Sequence, residues 1–217
     1  MELVLQNLIP IPLRDKLSQR NSDIWNTQKT LKQGEWIKVK APSGTGKTTL
    51  VHILYRLRND YTGHVLWNGK EEQRFSAAEL AVLRQSAVSV VFQDLRLFSQ
   101  LTARENIELN RVLPASGTHY ESTVIDAMAE RLGVTHILQQ RAGLCSYGEQ
   151  QRIAIIRALV QPFQWLLMDE PFSHLDEENT RKAAALIAEE CEKRGAGFIL
   201  TDLDEDRHLP YTTFYNL

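Results

Sequence analysis

Nine consecutive residues combine small residues, glycines, a lysine and two threonines at a spacing suited to binding phosphate. The run Ala41-Pro42-Ser43-Gly44-Thr45-Gly46-Lys47-Thr48-Thr49 matches the P-loop pattern G-x-x-x-x-G-K-[ST] at every fixed position except the first. Backbone N–H groups around Ser43–Lys47 can point at phosphate oxygens, and the N-terminus of a following helix adds partial positive charge. Lys47 would neutralise the β- and γ-phosphates, and the Thr48 hydroxyl can ligate magnesium. The run therefore predicts a site for ATP with Mg²⁺.

The first position of this pattern departs from glycine and is Ala41. The next residue, Pro42, pushes its predecessor into the extended region, which alanine tolerates well. We therefore expect Ala41 to be nearly neutral for the shape of the loop, although its methyl group could hinder close approach of another backbone.

Two carboxylates end a later apolar run. Trp165–Met168 is continuously apolar, as is typical of a strand buried on both faces, and Asp169 and Glu170 follow it. If this strand lies beside the strand that enters the P-loop, Asp169 would lie near the Mg²⁺. Glu170 would lie beyond it, where it could polarise an attacking water. A solvated loop is the alternative, and the presence of a P-loop disfavours it.

The elements that must position these residues alternate between strands and helices. The predicted strands are Val4–Leu8, Trp36–Lys40, His64–Trp67, Val88–Phe92, Trp165–Met168 and Phe198–Thr201, and the tail Tyr211–Leu217 can close the sheet as an edge strand. The predicted helices are Thr48–Leu57, Thr123–Leu132, Gly148–Val160 and Glu177–Lys193. This alternation indicates a mainly parallel sheet with crossover helices. The stretch from about 99 to 144 lacks strand patterns, and we predict that it forms a helical lobe.

Composition narrows the function classes. The chain has 217 residues, 43% of them hydrophobic and 24% charged, an ordinary globular mixture. Its formal net charge of −2 predicts no nucleic-acid partner. The sequence contains no run of about 18 apolar residues, so no membrane span is predicted. The N-terminus does not resemble a signal peptide. Cys145 and Cys191 form no CxxC pair, which argues against a zinc site and favours a reducing compartment.

Three further motifs resemble those of the ABC (ATP-binding cassette) ATPases. They are Val91-Phe92-Gln93-Asp94, similar to the Q-loop; Cys145-Ser146-Tyr147-Gly148-Glu149-Gln150-Gln151-Arg152, similar to the signature L-S-G-G-Q; and Ser173-His174-Leu175-Asp176, similar to the D-loop. The order of P-loop, Q-loop, signature, acidic strand and D-loop is specific to this family, and the resemblance covers nearly the whole chain. Other P-loop ATPases share only the P-loop and the acidic strand.

This resemblance implies an α/β fold. The core would be a P-loop NTPase with a mainly parallel sheet, N-terminal antiparallel strands and an inserted helical subdomain. Residues 1–217 would form one ATP-binding domain, with the helical lobe at about 99–160.

The resemblance also implies a role for each matching position. Glu170, Gln93 and Lys47 would be catalytic, and Thr48, Gln93 and Asp169 would hold the metal. ATP would contact residues of both the P-loop and the signature: Ser43, Gly44, Thr45, Gly46, Lys47, Thr48, Thr49, Ser146, Gly148 and Glu149. Two copies would sandwich each ATP between the P-loop of one and the signature of the other, so that ATP binding produces a homodimer.

A membrane permease is the partner that the resemblance implies. The segment Asp94–Asn106 looks most like the branch that serves lipoprotein release, macrolide export and cell-division permeases. Leu97 and Phe98 would line the groove for a permease's coupling helix, although packing in the core is an open alternative. The chain would be cytoplasmic and peripheral on the inner face of the membrane.

Three departures from the family pattern lie near the nucleotide. Asp202 stands where the family has a histidine that contacts the γ-phosphate, and a carboxylate about 4 Å from that phosphate would be repelled by about 4 kcal/mol at an effective dielectric near 20. Tyr147 replaces the first glycine of the signature. No aromatic residue for stacking on adenine occurs at Pro12 or Leu13, and Trp25 comes later in the chain.

These departures predict slow hydrolysis, and weaker ATP binding with little selectivity for the base. They leave an alternative open, namely a degenerate cassette that binds ATP, hydrolyses it little and acts as a regulatory or structural subunit of a membrane complex. Soluble DNA-repair or translation ABC proteins are disfavoured, because this chain has neither a coiled-coil insertion nor a second cassette.

Overall fold

Strands and helices alternate along the computed structural model, which describes residues 1–17, 21–112, 120–203 and 208–217. In these ranges the strands are β1 (Glu2–Pro10), β2 (Gln28–Lys32), β3 (Trp36–Lys40), β4 (Tyr61–Trp67), β5 (Lys70–Glu71), β6 (Val88–Val91), β7 (Trp165–Asp169), β8 (Gly197–Asp202) and β9 (Thr213–Asn216). The α-helices are α1 (Arg14–Leu17), α2 (Lys47–Leu54), α3 (Ala77–Ser86), α4 (Ala103–Val112), α5 (Ser122–Arg131), α6 (Tyr147–Leu159) and α7 (Glu177–Arg194).

Two sheets carry these strands. An antiparallel sheet has the order β2-β1-β4-β5, and a second sheet has the order β6-β7-β8-β3-β9 with parallel pairing throughout. The tail forms edge strand β9, as expected. Helices α4, α5 and α6 lie in the chain between β6 and β7. The predicted α/β fold class, with a parallel core and N-terminal antiparallel strands, is confirmed.

The strand order places one strand between the acidic strand and the strand that enters the P-loop. The acidic strand β7 does not lie directly beside β3, the strand that enters the P-loop, because β8 lies between them. Thr201 of β8 pairs with Val39 on one side and with Asp169 on the other. Strand order depends on contacts between residues distant in sequence, so apolar runs alone cannot fix it.

The inner strands of the parallel sheet are buried on both faces, whereas edge strand β9 is partly exposed. Every residue of β7 is buried, as its continuous apolar run predicts. Two hydrophobic clusters cover the two faces, one including Met168 with the helices α4 to α7 and the other including Leu167 with α2 and the antiparallel sheet. The strand ends that carry Asp169 and the P-loop therefore belong to the most thoroughly buried strands of the fold.

Several element boundaries differ from the sequence-based prediction for local reasons. Helix α2 ends at Leu54 and not at Leu57, because Arg56 takes a left-handed φ of 53°. Helix α3 was not predicted, although Ser76 and Glu79 form a capping box at its start. No helix in the described ranges is long and apolar enough to cross a membrane.

Candidate active site

The P-loop leads from β3 into the N-terminus of α2 and leaves that terminus open to an anion. The helix N-cap is Gly46, with φ of 108° and no side-chain cap, so the first N–H groups of the helix can bind phosphate oxygens. Glycine is required here because a φ of 108° strains any residue with a side chain, and a Cβ would also lie 2.8 Å from Leu13 Cδ1 and 3.2 Å from the Trp25 ring. A cavity of about 240 Å³ lies beside this turn, lined in part by Ser43 and Gly44.

Ala41 fits the loop without the conformational freedom of glycine. Its φ is not positive, its side chain is buried, and its N–H donates to the main-chain oxygen of Asp202 at 3.2 Å. The backbone geometry thus agrees with the expectation that alanine is tolerated at this position.

The ammonium group of Lys47 lies at the centre of the site. Its Nζ donates to the main-chain oxygens of Ala41 at 2.9 Å and Pro42 at 3.3 Å, and it lies 3.3 Å from Glu170 Oε1. The residue is buried, so its charge is weakly screened. A buried cation facing an open helix N-terminus is suited to a polyphosphate.

Gln93 joins the P-loop to the acidic strand end. The Thr48 hydroxyl donates to Gln93 Oε1 at 3.2 Å, and Gln93 Nε2 donates to Glu170 Oε2 at 3.1 Å. Together with the Lys47–Glu170 pair, these contacts bring four residues from three separate motifs into one connected group. Thr45, Gly46 and Thr49 belong to the same loop and helix start.

Asp169 carries a buried carboxylate whose two oxygens have different surroundings. Oδ1 accepts a hydrogen bond of 2.6 Å from the Thr201 hydroxyl, whereas Oδ2 is buried and has no hydrogen-bond partner. The following residue, Glu170, takes a left-handed φ of 48° while its N–H donates to the Thr201 oxygen at 2.9 Å. Such backbone strain is concentrated at functional sites, and here it turns Glu170 away from the strand direction towards Lys47.

Ser146 opens helix α6 as its N-cap. Its hydroxyl accepts a hydrogen bond from the Glu149 N–H, and Glu149 Oε2 accepts from the Ser146 N–H at 2.7 Å, which completes a capping box. The hydroxyl and the N–H of Ser146 hold the pKa of Glu149 below its ordinary value.

The signature residues do not reach the P-loop cavity of their own chain. The described residues that line this cavity do not include Ser146, Gly148 or Glu149. Burial raises the pKa of the Cys145 thiol, so this cysteine is a packing residue, as expected.

The geometry of this site agrees with what sequence comparison finds. The family model described as "ABC transporter" matches residues 25–173, which include the P-loop, the Q-loop, the signature and the acidic strand. The chain belongs to the ABC transporter family. Members of this family are ATP-binding cassettes with ATPase activity, and this cassette carries their motifs in their order.

Curated relatives are similar over most of the cassette. An uncharacterised ABC transporter ATP-binding protein, YvcR of Bacillus subtilis, is 33% identical over 81% of this chain and 68% of its own length. The lipoprotein-releasing system ATP-binding protein LolD of Shewanella frigidimarina is 32% identical over 81% of this chain and 73% of its own. The macrolide export ATP-binding/permease protein MacB of Bartonella henselae is 30% identical over 93% of this chain, which spans only 30% of that relative.

Solved structures share the fold of the cassette. A dimeric structure of a bacterial ABC transporter cassette superposes with a TM-score of 0.80 and 25% identity, covering 93% of this chain and 88% of the other. A dimeric post-hydrolysis state of an ATP-binding cassette, bound to ADP and Pi, superposes with a TM-score of 0.78, the same identity and the same coverage.

Asp202, which the family resemblance matches to a histidine position, lies close to a cation that the sequence did not indicate. Its Oδ2 is 3.9 Å from Lys38 Nζ, and its Oδ1 accepts from the Leu203 N–H at 2.7 Å. Lys38 is only 1% exposed and lies 5.2 Å from the centre of the Tyr211 ring. At 3.9 Å the attraction is about 4 kcal/mol at an effective dielectric near 20, which matches the repulsion expected from the γ-phosphate. Lys38 therefore supplies a nearby positive charge that lessens the repulsion expected at Asp202.

Trp25 lies at the cassette's nucleotide site despite its late position in the chain. Its ring is 3% exposed and packs beneath the P-loop, with Nε1 donating to the Thr45 oxygen at 3.4 Å. The ring supports the loop from below, and only a small part of it is exposed, where Trp25 lines a cavity of about 540 Å³ together with Arg14 and Leu17. Leu13 lines the P-loop cavity and also a second cavity of about 310 Å³ beside it.

The segment after the Q-loop is braced from within the cassette. Arg157 of α6 donates to the main-chain oxygens of Leu95 at 2.5 Å and Arg96 at 2.7 Å, two residues that both take left-handed φ. Burial lowers the pKa of Arg157 to about 10, so its guanidinium remains charged near neutral pH. No local sequence pattern signals this contact, which spans about sixty positions. Beyond it, Leu97 packs partly against the core, whereas Phe98 is 59% exposed.

Proposed function

We propose that this chain is the ATP-hydrolysing subunit of a membrane transporter, with the geometry of one connected group as its main support. Lys47, Thr48, Gln93 and Glu170 are linked by contacts of 3.1 to 3.3 Å at the open N-terminus of α2. These are the side chains that phosphoryl transfer needs, since it depends on neutralising phosphate charge and orienting a water. No comparison favours the alternative of a degenerate cassette that binds ATP, hydrolyses it little and acts as a regulatory or structural subunit.

Mg²⁺ fits the oxygen atoms present at this site. The Thr48 hydroxyl, Gln93 Oε1 and the unpartnered buried oxygen of Asp169 would hold it, directly or through water. Such oxygens are the ligands that this cation prefers. The bound cation would neutralise charge on the transferring phosphoryl group.

Each protein group has a separate part in the proposed hydrolysis. The Lys47 ammonium exchanges its carbonyl partners and its ion pair with Glu170 for phosphate oxygens. Glu170 is then free to accept a proton from the attacking water. Gln93 orients that water through its amide. Asp202, when ionised, cannot donate a hydrogen bond to the γ-phosphate as a histidine can. Because Lys38 offsets the carboxylate charge, the missing donor rather than repulsion makes basal turnover slow.

ATP-driven pairing of two copies would couple hydrolysis to transport. The dimeric cassette structures support this step, since they share the fold over 93% of this chain. Ser146, Gly148 and Glu149 would then face the ATP held by the other copy. A permease would dock at Phe98, on the inner face of the cytoplasmic membrane. Phe98→Ser should remove the stimulation of ATPase activity by native membranes, whereas Val82→Ser, at another exposed apolar position, should retain it.

Calorimetry with Mg-ATP tests the nucleotide assignment. Lys47→Ala should weaken Mg-ATP binding by at least about tenfold, because a charge-assisted hydrogen bond contributes about 1.5–3 kcal/mol. Lys182→Ala, on the exposed surface of α7, is the matched control and should bind as the parent does. Unchanged affinity in Lys47→Ala would refute the assignment.

A further inference from the structure

Tyr147, at the first turn of α6, reaches back into its own chain. Its hydroxyl donates to the main-chain oxygen of Gln93 at 3.2 Å. Its ring packs against His174, with centroids 4.1 Å apart and an interplanar angle of 64°. A single side chain therefore joins the signature to the Q-loop and the D-loop of the same chain.

The contact continues to the residues proposed for hydrolysis. Gln93 accepts a hydrogen bond from Thr48 and donates another to Glu170 through its side chain, while its main-chain oxygen accepts from Tyr147. An unbroken set of hydrogen bonds thus runs from the signature to the candidate metal and water positions. Glycine, which the signature pattern has at position 147, has no side chain with which to make this connection.

The start of α6 is fitted closely to the D-loop. A Cβ on Gly148 would lie 3.0 Å from the His174 oxygen, and Ser146 with Glu149 fixes the first turn through the capping box. The first turn of α6 is therefore held by its own capping box and lies in close contact with the D-loop.

We propose that Tyr147 is a positioning residue through which the Gln93 of one ATP site sets the position of the signature in the same chain. This inference rests on the proposed function, because the signature would face the ATP of a second copy. If Thr48 and Gln93 turned to a bound cation, they would give up their mutual hydrogen bond, and a movement of the Gln93 main chain would reach Tyr147 through its hydroxyl. Occupation of one site would then prepare the surface offered to the other, which is a coupling between two sites.

The expected size of this coupling is small but measurable. A net intramolecular hydrogen bond changes an equilibrium by about 2- to 10-fold. Because Tyr147 is 44% exposed, the lower part of that range applies, about 2- to 4-fold. The change should affect the response of α6 to nucleotide, and not the stability of the fold.

Hydrogen exchange of the α6 amides tests the proposal. The protein is kept at concentrations where light scattering shows a monomer, with and without the non-hydrolysable analogue Mg-AMP-PNP. In the parent, the analogue should change exchange in the first turn of α6 by about 2- to 4-fold. Tyr147→Phe should lose this change while keeping analogue affinity and the thermal midpoint. Tyr147→Gly should also lose it, and Tyr215→Phe, on edge strand β9, should behave as the parent.

Two results would overturn the proposal alone. One is a Tyr147→Phe variant whose α6 responds to the analogue as the parent does. The other is a parent protein that binds the analogue by calorimetry without any change in α6. A parent that binds no analogue would overturn the proposed function together with this inference, and calorimetry distinguishes that outcome from the first two.

Discussion

An aromatic ring at position 13 should tighten ATP binding, because the cleft beside the P-loop offers little surface for stacking on a base. The cavity of about 310 Å³ next to the phosphate cradle is lined by Leu13, Lys16 and Leu17 together with Ser43, Gly44 and Thr45. None of these described lining residues is aromatic, and the Trp25 ring is buried beneath the loop. A base entering from the phosphate side would therefore meet aliphatic side chains.

The expected gain follows from the energy of stacking. Stacking of a base on an aromatic ring contributes about 1–3 kcal/mol, equivalent to about 5- to 150-fold in affinity. Leu13 already supplies apolar contact from the shared wall of two cavities, so the change to tyrosine should reach only the lower part of this range. We expect Leu13→Tyr to bind Mg-ATP about 5- to 20-fold more tightly than the parent.

Calorimetry with Mg-ATP and Mg-GTP measures this effect and the base selectivity together. The parent should bind the two nucleotides with dissociation constants within about fivefold, because stacking contributes little to either. Ile11→Tyr is the matched control, since Ile11 is 52% exposed and lines neither cavity. The reasoning is refuted if Leu13→Tyr leaves both affinities unchanged, or if Ile11→Tyr raises them equally.

Two further predictions concern charged groups. Asp202→His should raise ATP turnover by up to about tenfold, or about 1.4 kcal/mol in the barrier, because an imidazole can donate to the γ-phosphate; a turnover equal to the parent's in a steady-state assay would contradict this. Burial raises the pKa of Glu72 from 4.5 to about 7, although Tyr61 donates to its carboxylate at 2.8 Å. The folded state therefore holds a proton that the unfolded state releases, so the free energy of unfolding should fall by up to about 3 kcal/mol between pH 4.5 and 7. Denaturant unfolding of Glu72→Gln should lack this decline, and parallel pH profiles for variant and parent would exclude it.

The chemistry of the site could be predicted from the sequence where it depends on local pattern. The glycines and Lys47 of the P-loop lie within one short run, whose residue types and spacing indicate phosphate binding. Asp169 and Glu170 directly follow an apolar run, and this position indicates a role at the metal and the water. The helix start at Ser146 is equally local, since a serine followed three residues later by Glu149 predicts a capping box.

The features that the sequence did not predict depend on contacts between residues that are far apart in the chain. The insertion of β8 between β7 and β3, which brings Thr201 to Asp169, follows from sheet packing and leaves no local pattern. The cation beside Asp202 is the buried Lys38 of β3, and the sequence of this strand gives no sign of the contact. Tyr147 could be recognised as a departure from the signature, but its contact with Gln93 spans more than fifty positions. The motifs therefore predicted which residues belong to the candidate site, and the fold determines how these residues are connected.

The central claim is that this chain hydrolyses Mg-ATP with Glu170 activating water, and that ATP joins two copies. Turnover and light scattering of Glu170→Gln, beside the parent and the surface control Glu192→Gln, test it directly. We expect turnover to fall by about 10²- to 10⁴-fold. The variant should bind Mg-ATP and form a dimer that is absent without nucleotide, and Glu192→Gln should match the parent. Turnover of Glu170→Gln at the parent rate, or a stable dimer without nucleotide, would contradict the account.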